Sequence, residues 1–128
     1  MKKSVLIIDN DPIYRTISQK IIEKLDLAET IFVEKNGYTA IDFIINVLAT
    51  KSKLPEIIFL DIEMPVMNGW EFMDEYCKIE NTLLTGIEIY IVSSSISQVD
   101  KDKAKSYSEI KDFISKPLTI ENLKTILG

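Results

Sequence analysis

The feature that most constrains this chain is an alternation. Short continuous apolar runs give way to stretches with helical spacing, and the switch repeats along the whole length. The clear runs are Val5 to Ile8, Ile57 to Leu60 and Ile89 to Val92, with weaker ones at Ile31 to Val33 and Phe113-Ile114. Runs without polar alternation suit strands covered on both faces, as in parallel sheets. Between them, Ile13, Ile17, Ile21 and Leu25 recur every four residues. Ala40-Ile41, Ile44-Ile45 and Leu48 form a second stripe, and Phe72-Met73 with Tyr76-Cys77 a third. Ile120, Leu123 and Leu127 form the last. Ser97 to Tyr107 is poor in apolar residues, so a helix there rests on the alternation alone.

Repeated strand–helix units require parallel strands, right-handed crossovers and helices on both faces. Five units predict an α/β, flavodoxin-like (βα)5 fold, a doubly wound five-stranded parallel sheet in the order 2-1-3-4-5. The 128 residues suit a single domain spanning 1–128. Local chemistry marks the boundaries. Pro12 fits a first helical turn after Asp11. Asn36-Gly37 breaks the chain after the second strand, and Thr119 starts the last helix as a cap without a full capping box.

Composition removes several chemistries. The chain has no histidine, so Ser-His-Asp hydrolysis, Cys-His catalysis and His-ligated zinc are excluded. One cysteine, Cys77, excludes an internal disulfide, and its apolar neighbours read it as a buried, inert thiol. A net charge of −5 argues against a nucleic-acid surface. No apolar stretch approaches the length of a membrane span or a leader, which predicts a cytoplasmic protein.

The remaining polar residues gather at strand ends. Asp9-Asn10-Asp11 follows the first strand, Asp61 the third, Ser93-Ser94-Ser95 the fourth and Lys116-Pro117 the fifth. In an open α/β sheet, ligands bind outside the carboxyl ends of the strands. Taken singly, each group has an ordinary role as a turn, a cap or a solvated loop residue. Together they supply one reaction. Three neighbouring carboxylates repel, and a hard cation such as Mg²⁺ relieves that repulsion. An Asp carboxylate can form an acyl phosphate, lysine can neutralise a phosphoryl oxygen, and a serine hydroxyl can donate to another.

Asp61-Ile62-Glu63-Met64-Pro65-Val66-Met67-Asn68-Gly69 resembles the phosphoacceptor loop of bacterial response-regulator receiver domains. Ile8-Asp9-Asn10-Asp11-Pro12, Val92-Ser93-Ser94 and Phe113-Ile114-Ser115-Lys116-Pro117 resemble that family's other motifs, so the likeness runs from Val5 to Leu127. It implies Asp61 as phosphoacceptor and Asp9 as the residue orienting a metal-bound water. It implies position 10 as a direct Mg²⁺ ligand and Glu63 as donor of a backbone carbonyl to the metal. Ser93 would bond a phosphoryl oxygen, Lys116 would pair with the phosphate, and Phe113 would be the aromatic switch. The implied partners are a histidine kinase or histidine phosphotransfer protein upstream and a downstream protein target. Ser97 to Tyr107 and the last strand would be docking surfaces, with no direct contact to nucleic acid or membrane. The family carries Asp where Asn10 stands. An amide oxygen brings less charge, so weaker Mg²⁺ binding is expected.

Two other readings stay open on residues alone. One is a receiver-like interaction module that works without phosphate. The other is a haloacid-dehalogenase-type phosphatase with Asp9 as nucleophile and Asp11 as acid, although the chain lacks a cap insertion and a late acidic pair. No output domain is expected after Gly128, so signalling is expected to pass by protein contact or onward phosphotransfer.

Overall fold

The computed structural model describes residues 2–95 and 97–128. The strands are β1 (Lys3–Ile8), β2 (Ala28–Glu34), β3 (Ile57–Leu60), β4 (Glu88–Ser93) and β5 (Ile110–Ser115). The helices are α1 (Pro12–Lys24), α2 (Gly37–Ala49), α3 (Gly69–Tyr76), α4 (Gln98–Lys105) and α5 (Ile120–Leu127). A short 3-10 turn, Asn81–Leu84, precedes β4. All strand pairs are parallel and the sheet order is β2-β1-β3-β4-β5, as the alternation predicts.

The three central strands explain the continuous apolar runs. Val5, Leu6, Ile8, Ile57, Ile58, Leu60, Ile89 and Ile91 are fully buried. Alternate residues of each strand serve different cores, because successive side chains point to opposite faces. Leu6, Ile8, Ile58, Leu60, Ile89 and Ile91 join α2 and α3 on one face. Val5, Ile7, Ile57, Phe59, Tyr90 and Val92 join Ile22 of α1 and Leu123 and Leu127 of α5 on the other. The edge strands β2 and β5 are only partly buried, which is why their apolar runs were weak.

Several helical expectations change. Ile13 and Ile17 are exposed (70% and 52%), and α1 instead buries Ser18 and Ile22. A spacing of four advances about 40° per step around a helix of 3.6 residues per turn, so the isoleucine stripe winds off the buried face. Ile45 and Ile120 of the other stripes are exposed as well. Cys77 is an exposed residue at the C-cap of α3, not a buried one. Partial desolvation and nearby Glu109 still push the thiol up to about 11, so it is mainly protonated at neutral pH. Thr119 does form a complete capping box, because the Asn122 side chain accepts from the Thr119 amide at 3.2 Å.

Candidate functional site

Strand register brings the rim residues together. Ile8 pairs with Leu60, and the Asp61 amide donates to the Ile8 carbonyl at 3.0 Å. The Asp9 amide donates to the Glu34 carbonyl at 3.1 Å, so both aspartates leave the sheet at one end. Ser93 pairs with Ser115, and the Lys116 amide donates to the Ser93 carbonyl at 2.9 Å. Adjacent parallel strands thus bring Asp9, Asp61, Ser93 and Lys116 to one rim of the sheet.

The centre is a three-residue ion cluster. Lys116 Nζ lies 2.7 Å from Asp9 Oδ2 and 3.4 Å from Asp61 Oδ2. Both carboxylates are buried, and the lysine is far from a solvated loop residue. Asp9 Oδ1 accepts from the Asp11 amide and Asp61 Oδ1 from the Ile62 amide, each at 2.9 Å. Burial and the charge of Asp9 push the Asp61 carboxyl up to about 6, with Lys116 and the Ile62 amide pulling it back. It is therefore mainly ionised at neutral pH. Burial pulls Lys116 down, but its bonds and attraction to Asp9 and Asp61 outweigh that and hold it above the ordinary lysine value. No buried side-chain polar atom among the described residues lacks a partner.

Not every expected residue joins this cluster. Asp11 turns away. Its carboxylate caps α1, accepting from the amides of Ile13 (3.0 Å) and Tyr14 (3.4 Å). The rim therefore holds two facing carboxylates rather than three, and the phosphatase reading loses its acid. Asn10 and Glu63 line an open cleft of about 440 Å³ with Ile62, Met64, Pro65 and Asn68. Among the described residues no three Asp, Glu or Cys side chains form a cation cage. The expected donors are the two carboxylates, the Asn10 amide and the Glu63 backbone carbonyl. All are hard oxygens, and their number leaves room for waters, which fits Mg²⁺. Ser93 is buried, and its Oγ accepts from the Ser95 amide at 3.1 Å. Phe113 is half-buried and lines a groove of about 490 Å³ between α4 and β5 with Ala104 and Ile110.

The loop after β3 is tightly held. A Cβ on Gly69 would sit 2.5 Å from the Asp61 carbonyl oxygen, so only glycine allows α3 to approach the Asp61 backbone so closely. Gly69 N–H donates to the Ile62 carbonyl at 2.8 Å. Val66 takes φ of 67°, an unfavourable left-handed conformation for a β-branched residue, at the exposed tip of the loop. Trp70 stacks on Tyr107 with centroids 5.9 Å apart.

Sequence reasoning missed two neighbours of the cluster. Arg15 Nη1 donates to the Asp9 carbonyl at 2.5 Å. The Tyr14 ring lies 4.4 Å from Lys116 Nζ. Their place one turn into α1 after the acidic motif was the available signal.

A family model for the response regulator receiver domain matches residues 5–128. The chain belongs to the response-regulator receiver family and so to two-component signalling. Its relatives include a protein-glutamate methylesterase/protein-glutamine glutaminase of Burkholderia thailandensis. That protein is 30% identical over 115 residues, covering 88% of this chain and 29% of the relative. The sensor histidine kinase CheAY of Helicobacter pylori is 29% identical over 126 residues, covering 96% of this chain and 14% of the kinase. The receiver thus spans under a third of either protein's length, and their activities are their own. A two-component response regulator from Cytophaga hutchinsonii is 31% identical, with a TM-score of 0.89 over 98% of this chain and 95% of that one. The family is a phosphoacceptor family rather than one of turnover enzymes. No helix among the described residues is long and apolar enough to cross a membrane.

Proposed function

We propose that Asp61 accepts a phosphoryl group from the phosphohistidine of a histidine kinase or histidine phosphotransfer protein. The observation that carries this is the Lys116 ammonium reaching both Asp9 and Asp61 at one strand-end rim. An ionised Asp61 oxygen attacks phosphorus, the histidine N–P bond breaks, and the departing imidazole takes up a proton. The product is an acyl phosphate. Asp9, Asn10, Asp61 and the Glu63 carbonyl would hold Mg²⁺, which neutralises the phosphoryl oxygens when bound. Lys116 turns from the carboxylates to the new dianion. Ser93, whose Oγ accepts from the Ser95 amide, donates its hydroxyl proton to a phosphoryl oxygen. That draws the loop before α4 inward, and Phe113 follows into the space. The altered α4–β5 surface is then read by a downstream protein.

The test is incubation with acetyl phosphate and Mg²⁺, followed by intact-mass measurement. A phosphoryl adduct that disappears in Asp61→Asn supports the reading. A folded wild-type chain that takes no adduct overturns it in favour of a phosphate-independent interaction module. Asn10 supplies a specific reason to check, since its neutral amide replaces a charged ligand. Asn10→Asp is expected to tighten Mg²⁺ binding several-fold, read by titration of Trp70 fluorescence.

A further inference from the structure

Lys116 is gripped from a side that the acidic cluster does not explain. Tyr14 sits in the first turn of α1, where the Asp11 cap fixes its backbone. Its ring faces the Lys116 ammonium at 4.4 Å. Its hydroxyl oxygen accepts from the Leu118 amide at 3.2 Å, two residues further along the same loop. The ring also packs against the core that contains Leu118, Leu123 and Val92. One side chain therefore touches the β5–α5 loop at its backbone and at its charge. The Lys116 side chain is only 18% exposed, so water contributes little to holding it.

We propose that Tyr14 is a positioning residue for phosphoryl acceptance, its ring face holding the Lys116 ammonium above the two carboxylates. This rests on the reading of Lys116 as the phosphate counter-ion. A cation over an aromatic face is attracted to the ring quadrupole, most strongly when both are desolvated. That attraction has no fixed acceptor atom, so it persists while the ammonium turns from carboxylate to phosphoryl oxygen. The hydroxyl has the separate task of pinning the loop. The two tasks can be divided by substitution. Tyr14→Phe keeps the ring and loses the hydroxyl, whereas Tyr14→Leu loses both.

The first measurement needs neither metal nor phosphate. Protons over an aromatic face are shielded, so the Lys116 ε-methylene signal of the metal-free protein should lie upfield of the other lysines. It is assigned by its loss in Lys116→Arg. The upfield position should survive Tyr14→Phe and vanish in Tyr14→Leu. An unshifted signal in the wild type overturns the proposal without any variant. The second measurement is the rate of adduct formation with acetyl phosphate and Mg²⁺. Tyr14→Leu should slow it roughly 3- to 30-fold, with Tyr14→Phe near wild type. In a Lys116→Ala background the Leu substitution should have no further effect, because the ring then has no cation to hold. A wild type that forms the adduct while Tyr14→Leu matches its rate overturns the positioning role alone. A wild type that forms none overturns the acceptor reading and this role with it.

Discussion

Helices α3 and α4 invite comparison, because each has eight residues and each follows a strand that runs into or ends on a site residue. They are held in place very differently. Helix α3 buries Gly69, Trp70, Phe72, Met73 and Tyr76, and Asn68 and Glu71 close a capping box at its start. Helix α4 buries only Ala104, and its Ser97 cap reaches the Asp100 amide at a long 3.4 Å. Most helical stability in proteins comes from packing an apolar face rather than from propensity. Helix α3 is therefore part of the core and a firm mount for the acceptor loop. Helix α4 is a lightly held flap whose charged face leaves little to lose on moving. In the proposed cycle, this difference separates the part that stays still, α3, from the part that responds, α4.

The largest test of this contrast is Phe72→Ala. A fully buried ring in α3 should cost about 3–5 kcal/mol by urea denaturation. A loss under about 1 kcal/mol would remove the basis for calling α3 the anchor. Next is the charge that the anchored side supports. The Asp61 carboxyl sits at about 6 in the fold against an ordinary 3.8. The fold favours the proton, so ionisation costs stability as pH rises between those values, and the full cost is present above them. Asp61→Asn should therefore raise metal-free stability at pH 8 by about 1–2 kcal/mol, after screening at the rim is allowed for. The gain should fade as pH is lowered through about 6 toward 4.

Tyr107 links the two helices, donating its hydroxyl to Asp74 of α3 at 2.7 Å while its ring stacks on Trp70. Tyr107→Phe should cost about 1 kcal/mol and speed hydrogen exchange in α4 while leaving α3 amides protected. Equal acceleration in both helices would show that they move as one unit. The smallest effect should come from Val99, which is 75% exposed on α4. Val99→Ala should change stability by less than about 0.5 kcal/mol in thermal denaturation.

The sheet was legible because its central strands must be apolar on both faces, a pattern no surface helix needs. The site was legible for the same reason in reverse. Asp9, Asp61, Ser93 and Lys116 stand where apolar runs stop, and strand order alone makes those stops neighbours. What escaped depended on rotation about a helix axis. Ile13 and Ile17 looked like core and face outward, while Tyr14, one residue along, turns inward to Lys116. Asp11 was counted with the acidic group because sequence proximity hides which way a cap residue points. The partner of the Ser93 hydroxyl was equally hidden, being a backbone amide two residues on.

Because Lys116 already bridges Asp9 and Asp61, the resting rim carries an internal counter-charge. The chain does not depend on a divalent ion to keep two buried anions apart. On the proposed reading, chelation should abolish adduct formation without unfolding the chain, and signalling competence and structural integrity would then answer to different ions.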